Sequence, residues 1–368
     1  MLTVADVLRR HGPAYLDRFG KSIPVEQKRV LRAMMACRTG ELGTVHYRCS
    51  GCGRRHVIGR SCGNRHCPSC QSAKGADWLQ RQLARLLPCH YFLVTFTVPE
   101  KFRQFARSHP REAYAAMFQA SSEALKTLAA DPKRLGATTM GFFAALHTWG
   151  RDMSYHPHIH YVIPGGGLDA DGQWRSSPPG FFLPCQPLSI LYRQKLHAAL
   201  AEAEMLAQVE PAVWNESWVV DCQAVGDGRS AVKYLAPYVF RVAISDRRIV
   251  ACDDTHVTFR YRRSGSRRWR TMTLEAAEFI RRFLQHVLPR GLQKIRHYGF
   301  LSPNSRQSVE SLQWLVAATL DLLYHLAWSV QIVTASLSAV LCAECGQGML
   351  LIRCLPARPA PAPLGQPP

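Results

Sequence analysis

An α+β fold is what this sequence predicts, on three observations. Helical-period stretches alternate with short β-branched runs, yet without the strict strand–helix–strand rhythm of a parallel sheet. The apolar fraction is 47% of 368 residues, enough for a real core in one large domain or two modest ones. No internal repeat at a period of roughly 20–50 residues replaces that core with a stacked array.

The elements follow in order. Residues 2–37 are expected to be helical, with a second helix around Val25–Met35; Pro13 and Pro24 mark first turns or the loops between. Residues 49–70 form a cysteine-rich knot with little regular pattern. Ala73–Leu87 is an amphipathic helix, carrying Trp78, Leu79, Leu83, Leu86 and Leu87 and stopped by Pro88. Tyr91–Val98 switches to period two and reads as a strand. Arg111–Ala130 is expected as helix, Thr138–Leu146 and His158–Ile163 as strands, Ser189–Val209 as a long helix and Ser217–Cys222 as a strand. Ser230–Phe240 reads as a helix with Pro237 inside it, which should kink or shorten the last turn. Val257–Tyr261 and Arg268–Leu274 flank Ser264-Gly265-Ser266 as a hairpin, and Leu274–Leu288 is a helix closed by Pro289 and Gly291. Ala357–Pro368 is Pro-rich and expected to be disordered.

Charge points to a partner. The 46 Lys+Arg against 26 Asp+Glu give a net charge of +20, a balance suited to a polyanion, by default nucleic acid, although a generally basic proteome would also produce it. Met1–Asp6 lacks a charged stretch followed by an apolar run, so no leader is expected and the 13 cysteines should sit in a reducing compartment. Residues 326–343 carry no formal charge. They also contain Ser329, Gln331, Thr334, Ser336 and Ser338 and are bracketed by Asp321 and Glu344, so a buried or partner-facing helix is expected there rather than a bilayer span.

Four constellations carry chemistry. Cys49-x2-Cys52 and Cys67-x2-Cys70 have the two-knuckle spacing of a tetrahedral structural zinc, with Cys62 and His66 between them as alternative ligands. Arg54, Arg55, Arg60 and Arg65 surround the knot and suit phosphate. The later pair Cys342-x2-Cys345, with Cys354 nearby, is half a knuckle with no second pair after it, so no metal is expected there. In His156-Pro157-His158-Ile159-His160 the strand period puts His158 and His160 on one face, either as metal ligands or as a hydrogen-bonded core row. Gly165-Gly166-Gly167 follows, where backbone has room to approach a ligand.

Tyr234 and Tyr238 share a helix face, a spacing that core packing also uses; Lys233 and Arg241 put positive charge beside them. Arg260, Arg262, Arg263, Arg267, Arg268 and Arg270, interleaved with Tyr261 and Trp269, read as a backbone-tracking DNA contact with stacking, against the alternative of a charged sheet edge.

At this point the chain resembles the HUH rolling-circle insertion-sequence transposases with two tyrosines, the IS91 family, over roughly residues 5–300. The likeness lies in Cys37-Arg38-Thr39-Gly40, Ser61-Cys62-Gly63-Asn64-Arg65-His66-Cys67-Pro68-Ser69-Cys70-Gln71, Leu87-Pro88, Tyr91-Phe92 and Phe96-Thr97-Val98-Pro99. It continues through Leu146-His147-Thr148-Trp149, Tyr155–His160, Tyr234–Tyr238, Arg241–Ser245, and His286–Pro289 into Ile295–Gly299.

The resemblance implies a small helical and zinc-knuckle region (1–90), an HUH nuclease domain with a central antiparallel sheet (91–300), and an apolar then Pro-rich tail (301–368) that departs from the family's pattern. It implies His158 and His160 as ligands of a catalytic Mg²⁺ or Mn²⁺, with His156 flanking and Gln223 as a guess for the third ligand. Tyr234 and Tyr238 would be nucleophiles, and the zinc structural. The activity it implies is nicking and strand transfer of single-stranded DNA at an element's ends and at target DNA, through a 5′-phosphotyrosine, in a cytoplasmic, nucleoid-associated bacterial protein. A plasmid relaxase or replication initiator would use the same chemistry. A histidine-nucleophile nucleotide hydrolase or transferase, or a zinc DNA-binding protein with a dead nuclease, are the readings from other classes.

Overall fold

The computed structural model describes residues 2–239, 243–263, 266, 268–322 and 341–356. Two helices open the chain, α1 (Val4–Phe19) and α2 (Val25–Met35). Thr3 caps α1: its hydroxyl accepts the Asp6 N–H at 3.1 Å while the Asp6 carboxylate accepts the Thr3 N–H at 2.8 Å, so two otherwise orphaned donors are satisfied. Pro13 lies inside α1, not between helices, on an exposed position where water can replace the missing donor. Strands β1 (Thr44–Cys49) and β2 (Arg55–Gly59) follow, then α3 (Pro68–Ala84), which starts at a proline suited to a first helical position.

The middle of the chain is β3 (Tyr91–Thr97), α4 (Phe102–Ser108), α5 (Pro110–Ala130), β4 (Phe142–Trp149), β5 (Tyr155–Pro164), β6 (Gly166–Leu168), β7 (Trp174–Ser176), α6 (Cys185–Glu202), β8 (Val220–Ala224) and α7 (Arg229–Val239). The remainder is β9 (Ile249–Cys252), β10 (His256–Arg262), β11 (Trp269–Glu275), α8 (Ala276–Leu284), β12 (Ile295–Tyr298), α9 (Val309–Thr319) and β13 (Met349–Leu355).

Mixed helix and antiparallel sheet, as expected, is the architecture. A five-stranded sheet of order β12-β4-β5-β3-β8 forms the centre, every neighbour antiparallel. Alternation along its strands sorts the two faces. Phe92, Val94, Phe96, Ile159, Tyr161 and Ile163 point one way, into the core shared with α5 and α6. Phe143, Ala145 and Val162 point the other way and meet α3 and α7 through Trp78, Val232, Leu235 and Ala236. His158 and His160 lie on this second face, paired with Thr97 and Thr95 on β3. Helix α7 is thereby laid over the histidines.

Several boundaries differ from the sequence expectations for identifiable reasons. β4 starts at Phe142, not Thr138, because Thr139 forms a bridge with Leu168 of β6. β5 begins at Tyr155 and includes Pro157, tolerated because β4 breaks register between His147 and Trp149, where no ladder donor is demanded of it. α8 begins only at Ala276, since His256 pairs with Glu275 and Val257 with Leu274, extending the hairpin. α7 continues through Pro237 to Val239.

The glycine run does not offer backbone to a ligand. A Cβ on Gly165 would lie 2.1 Å from the His90 ring and one on Gly166 2.4 Å from Trp174, so these glycines permit close packing.

One apolar cluster joins residues on either side of position 90. Val4, Val7, Leu8, Leu31 and Met34 pack with Ile249, Val257, Phe259, Phe279, Ile280 and Phe283, so α1 and α2 share one apolar cluster with β9–β11 and α8. No helix among the described residues is long and apolar enough to cross a membrane; residues 326–340 of the uncharged run lie outside them, as does the Pro-rich tail from 357.

Candidate metal centre and cysteine clusters

Three imidazoles converge under α7. His147 on β4 stands opposite His158 on β5, and His160 lies two positions further on, so strand pairing places one ligand atom of each within 4.8 Å of the others. His158 is oriented by its own strand: Nδ1 lies 2.7 Å from the His156 carbonyl oxygen and donates to it. His160 is oriented by β3, with Nδ1 2.8 Å from the Thr95 hydroxyl. The carbonyl leaves His158 Nε2 with a lone pair for a cation, and His160 Nε2 has one when its Nδ1 donates to the Thr95 hydroxyl. His147 stacks on Trp149, with ring centroids 5.1 Å apart, and meets His160 edge-on at 4.7 Å.

Burial is the main cause keeping all three neutral. It holds His147 and His158 well below the ordinary imidazole range and pulls His160 down to about 4; neighbouring imidazoles add to the effect. Neutral, oriented and convergent imidazoles fit a divalent cation, whose remaining ligands would be oxygens.

Gln223, the guessed third ligand, stands one strand away from the histidines. It shares the histidines' face but sits on β8, separated from β5 by β3, and its amide donates to Asp221 at 2.7 Å. His147 is the third imidazole whose ligand atom lies close to those of His158 and His160. Its signal was the antiparallel pairing of two histidine-bearing strands, which single-strand spacing does not contain.

Tyr234 lies beside the centre. Its ring is 6.4 Å from that of His160 and perpendicular to it, and it is 43% exposed, so one edge meets the buried imidazoles and the other meets solvent. The helix that holds it is set by Gly228, whose φ of +78° and lack of a Cβ allow the Tyr91 ring to pack against it; Val232 N–H then donates to the Gly228 carbonyl at 3.0 Å. Val232, Leu235 and Ala236 anchor the buried side of α7, leaving Lys233 and Tyr234 on its exposed side. Tyr238 is on α7, but its side chain, Arg241 and Arg267 are outside what the structure describes.

The cysteines correct the single-knuckle expectation. Cys49 and Cys52 do not meet Cys67 and Cys70. Cys67 and Cys70 gather with Cys37 and Cys62, while Cys49 and Cys52 gather with Cys342 and Cys345. Cys62 is therefore a member of the first cluster rather than an alternate, and His66 belongs to neither: its Nε2 accepts the Leu288 N–H at 3.0 Å. Cys37 was the ligand that spacing missed, and the half-knuckle Cys342-x2-Cys345 turned out to have its partner at the other end of the chain.

In the first cluster Cys37 and Cys70 Sγ are 3.5 Å apart and Cys62 and Cys70 3.6 Å, distances far too long for disulfides and close to the ~3.8 Å edge of a tetrahedron with Zn–S bonds of ~2.3 Å. Ser69 at the start of α3 donates to Asp246 at 2.7 Å, and Asp246 also accepts the Val4 N–H at 2.9 Å, tying the cluster to the α1–β9 region. Arg65 donates to the Leu292 carbonyl and Arg54 pairs with Glu344, so these two cations of the knot have partners within the chain.

The basic hairpin forms as expected. Arg260 and Arg262 flank the half-exposed Trp269 ring at 5.5 and 4.3 Å, while Arg263, Arg268 and Arg270 project outward. Arg151, just after β4, donates to the Arg263 carbonyl, and Arg248 donates to those of Arg151 and Arg260. The hairpin is thus tethered at the His147 end of the central sheet. A separate cleft of about 610 Å³, lined by Arg107, Arg111, Arg281 and Arg290 among others, does not include the histidines.

Comparison with known proteins gives consistent matches. A family model described as "Transposase zinc-binding domain" matches residues 7–98, and one described as "Putative transposase" matches residues 141–308. The chain is 42% identical over 326 residues to the "Putative transposase y4qJ" of Sinorhizobium fredii, covering 83% of this chain and 81% of that protein. It is 29% identical over 286 residues to the "Transposase for insertion sequence element IS801" of Pseudomonas savastanoi pv. phaseolicola, covering 73% and 68%. No solved structure matches.

Proposed function

Because this chain belongs to the IS91 family of transposases with an N-terminal zinc-binding domain, and so to enzymes that cleave DNA, we propose that it nicks and rejoins single-stranded DNA through a phosphotyrosine at the centre described above. The observation that carries this reading is the Tyr234 phenol edge against the imidazole cluster of His147, His158 and His160.

A divalent cation, Mg²⁺ or Mn²⁺, held by these three histidines would draw charge from a phosphate oxygen and lower the barrier to attack. The chain's own residues do the rest. Tyr234 Oη attacks phosphorus as its phenolic proton departs; the new O–P bond forms as the P–O3′ bond breaks. The products are a 5′-phosphotyrosine and, once the leaving oxygen is protonated, a 3′-OH able to prime synthesis. The phosphotyrosine conserves the bond energy, so a later 3′-OH can reverse the step on a different strand without an external energy source. Tyr238, one helical turn on, would accept a second strand. Lys233 adds charge beside the phosphate, and Arg260, Arg262, Arg263, Arg268 and Arg270 with Trp269 track the single strand through charge and stacking. The Cys37 cluster would hold a structural zinc, which would tie α3 to the α1–β9 region through Ser69 and Asp246.

The test is a covalent adduct on a denaturing gel, with labelled single-stranded terminus DNA and Mn²⁺ or Mg²⁺. An adduct lost in Tyr234→Phe and in His158→Ala supports the reading. An adduct that survives both Tyr234→Phe and Tyr238→Phe but disappears in His156→Ala would replace it with a histidine nucleophile. Tight DNA binding with no adduct would mean a binding protein with a dead nuclease.

A further inference from the structure

We propose that Cys49, Cys52, Cys342 and Cys345 form a second structural zinc site, which clasps the C-terminal strand β13 onto the N-terminal ribbon β1–β2. This site does not depend on the nuclease reading. The four thiols lie within 4.8 Å of one another, with Cys49 and Cys345 Sγ 3.3 Å apart and Cys52 and Cys342 Sγ 3.9 Å apart. These separations bracket the ~3.8 Å edge of a tetrathiolate zinc tetrahedron and exclude disulfides at ~2.05 Å.

The backbone repeats one design at both pairs. In each, a glycine follows the second cysteine in a left-handed conformation, Gly53 at φ +70° and Gly346 at φ +73°. In each, that glycine's N–H turns back to the carbonyl of the first cysteine: Gly53 to Cys49 at 3.1 Å, Gly346 to Cys342 at 3.0 Å. Two such turns facing each other aim four sulfurs at one point. His56 supports the site, its Nε2 lying 3.3 Å from Cys342 Sγ.

The surroundings show why a metal is needed. β13 pairs with β1 from Thr44↔Leu355 to Cys49↔Met349, completing a three-stranded sheet from the two ends of the chain. Yet Leu350 is 65% exposed, Leu351 58% and Ile352 50%, so burial of β13 side chains contributes little to holding the strand in place. A small sheet without a core needs a staple, and a structural zinc supplies folding free energy directly. Beyond the metal, the Ser50 N–H and hydroxyl both reach the Gly348 carbonyl, and Arg54 pairs with Glu344.

The experiment counts zinc in the full chain carrying His158→Ala, so that metal at the histidines does not contribute, after dialysis against a weak chelator. Two zinc ions per chain are expected. Cys342→Ser/Cys345→Ser should lose one, Cys49→Ser/Cys52→Ser should lose the same one, and the quadruple variant should still hold one. Cobalt replacement gives a folding control, because the thiolate bands of the Cys37 cluster should persist at half the parent intensity. Hydrogen exchange should show β1 amides losing protection in Cys342→Ser/Cys345→Ser. A parent with one zinc that is unaffected by the C-terminal pair would overturn the proposal. So would loss of all zinc on changing Cys49 and Cys52, which would restore the single knuckle with Cys67 and Cys70.

Discussion

The histidine centre and the cysteine clusters are both sets of soft or borderline ligands brought to a point, yet they are assembled in opposite ways. The histidines come from neighbouring strands of one rigid sheet, where register alone makes them converge. The cysteine clusters reach across the chain: Cys37 meets Cys70 over 33 positions, and Cys49 meets Cys345 over 296. A site made of adjacent strands inherits its precision from the ladder. A site made of distant loops must be held by the metal itself, so the two should answer differently to metal removal: the histidine sheet should stay folded and lose chemistry, whereas the β1–β2–β13 ribbon should come apart.

Ligand removal sharpens this contrast most. His147→Ala should reduce adduct formation by at least about 100-fold, on the scale of losing a metal ligand, while Gln223→Ala should change it by less than about twofold. Circular dichroism should confirm that both variants keep the native fold; equal effects in the two would return the third ligand to β8. A milder change is Thr95→Val, which removes the partner of His160 Nδ1 while keeping β-branching and volume. Metal affinity, followed by titration of the adduct yield with Mn²⁺, should fall by about 10–100-fold with little change in thermal stability.

Acid should challenge the frame around the centre. His286 is fully buried, with its imidazole pulled down to about 3 by burial, and it lies against Thr148 and the Met153 carbonyl. The unfolded chain takes up that proton below about pH 6.5, whereas the folded chain does so only near 3. Stability is therefore complete above about 6.5 and falls as pH drops from there, by up to about 1.4 kcal/mol per pH unit for this group. Denaturant midpoints between pH 7 and 4.5 should show the decline, to which the buried His147, His158 and His160 also contribute, and His286→Gln should make it shallower by up to about 1.4 kcal/mol per pH unit; an unchanged slope in the variant would show that His286 contributes nothing to it. At the hairpin the effect should fall on binding alone. Arg262→Ala should lower the salt dependence of single-strand binding by about 0.7 in log–log slope, and Trp269→Ala should cost about 1–3 kcal/mol of binding with that slope preserved.

The parts of the molecule legible in the sequence are those governed by local spacing. Period two placed His158 and His160 on one face, helical spacing put Tyr234 in a helix on the face it shares with Tyr238, and the runs either side of Ser264–Ser266 read as the arginine hairpin. What the sequence did not yield depends on pairing between remote segments. Gln223 looked suitable because it ends a strand, but strand order puts β3 between it and the histidines. Cys49-x2-Cys52 and Cys67-x2-Cys70 have a spacing that suits one zinc, and nothing local reveals that each pair has another partner set. The N-terminal helices read as a separate module, yet their apolar faces are completed by Phe259, Phe279 and Phe283. Periodicity identifies a face; it does not say which distant face covers it.

On the proposed reaction Tyr234, over the three histidines, becomes covalently joined to DNA. Its most direct test is to trap the adduct with single-stranded terminus DNA and Mn²⁺, digest with trypsin, trim the DNA to a nucleotide, and sequence the modified peptide by mass spectrometry. The nucleotide is expected on the peptide that begins after Lys233, attached at Tyr234. A nucleotide on His156, on His158, or on any residue outside α7 would contradict it.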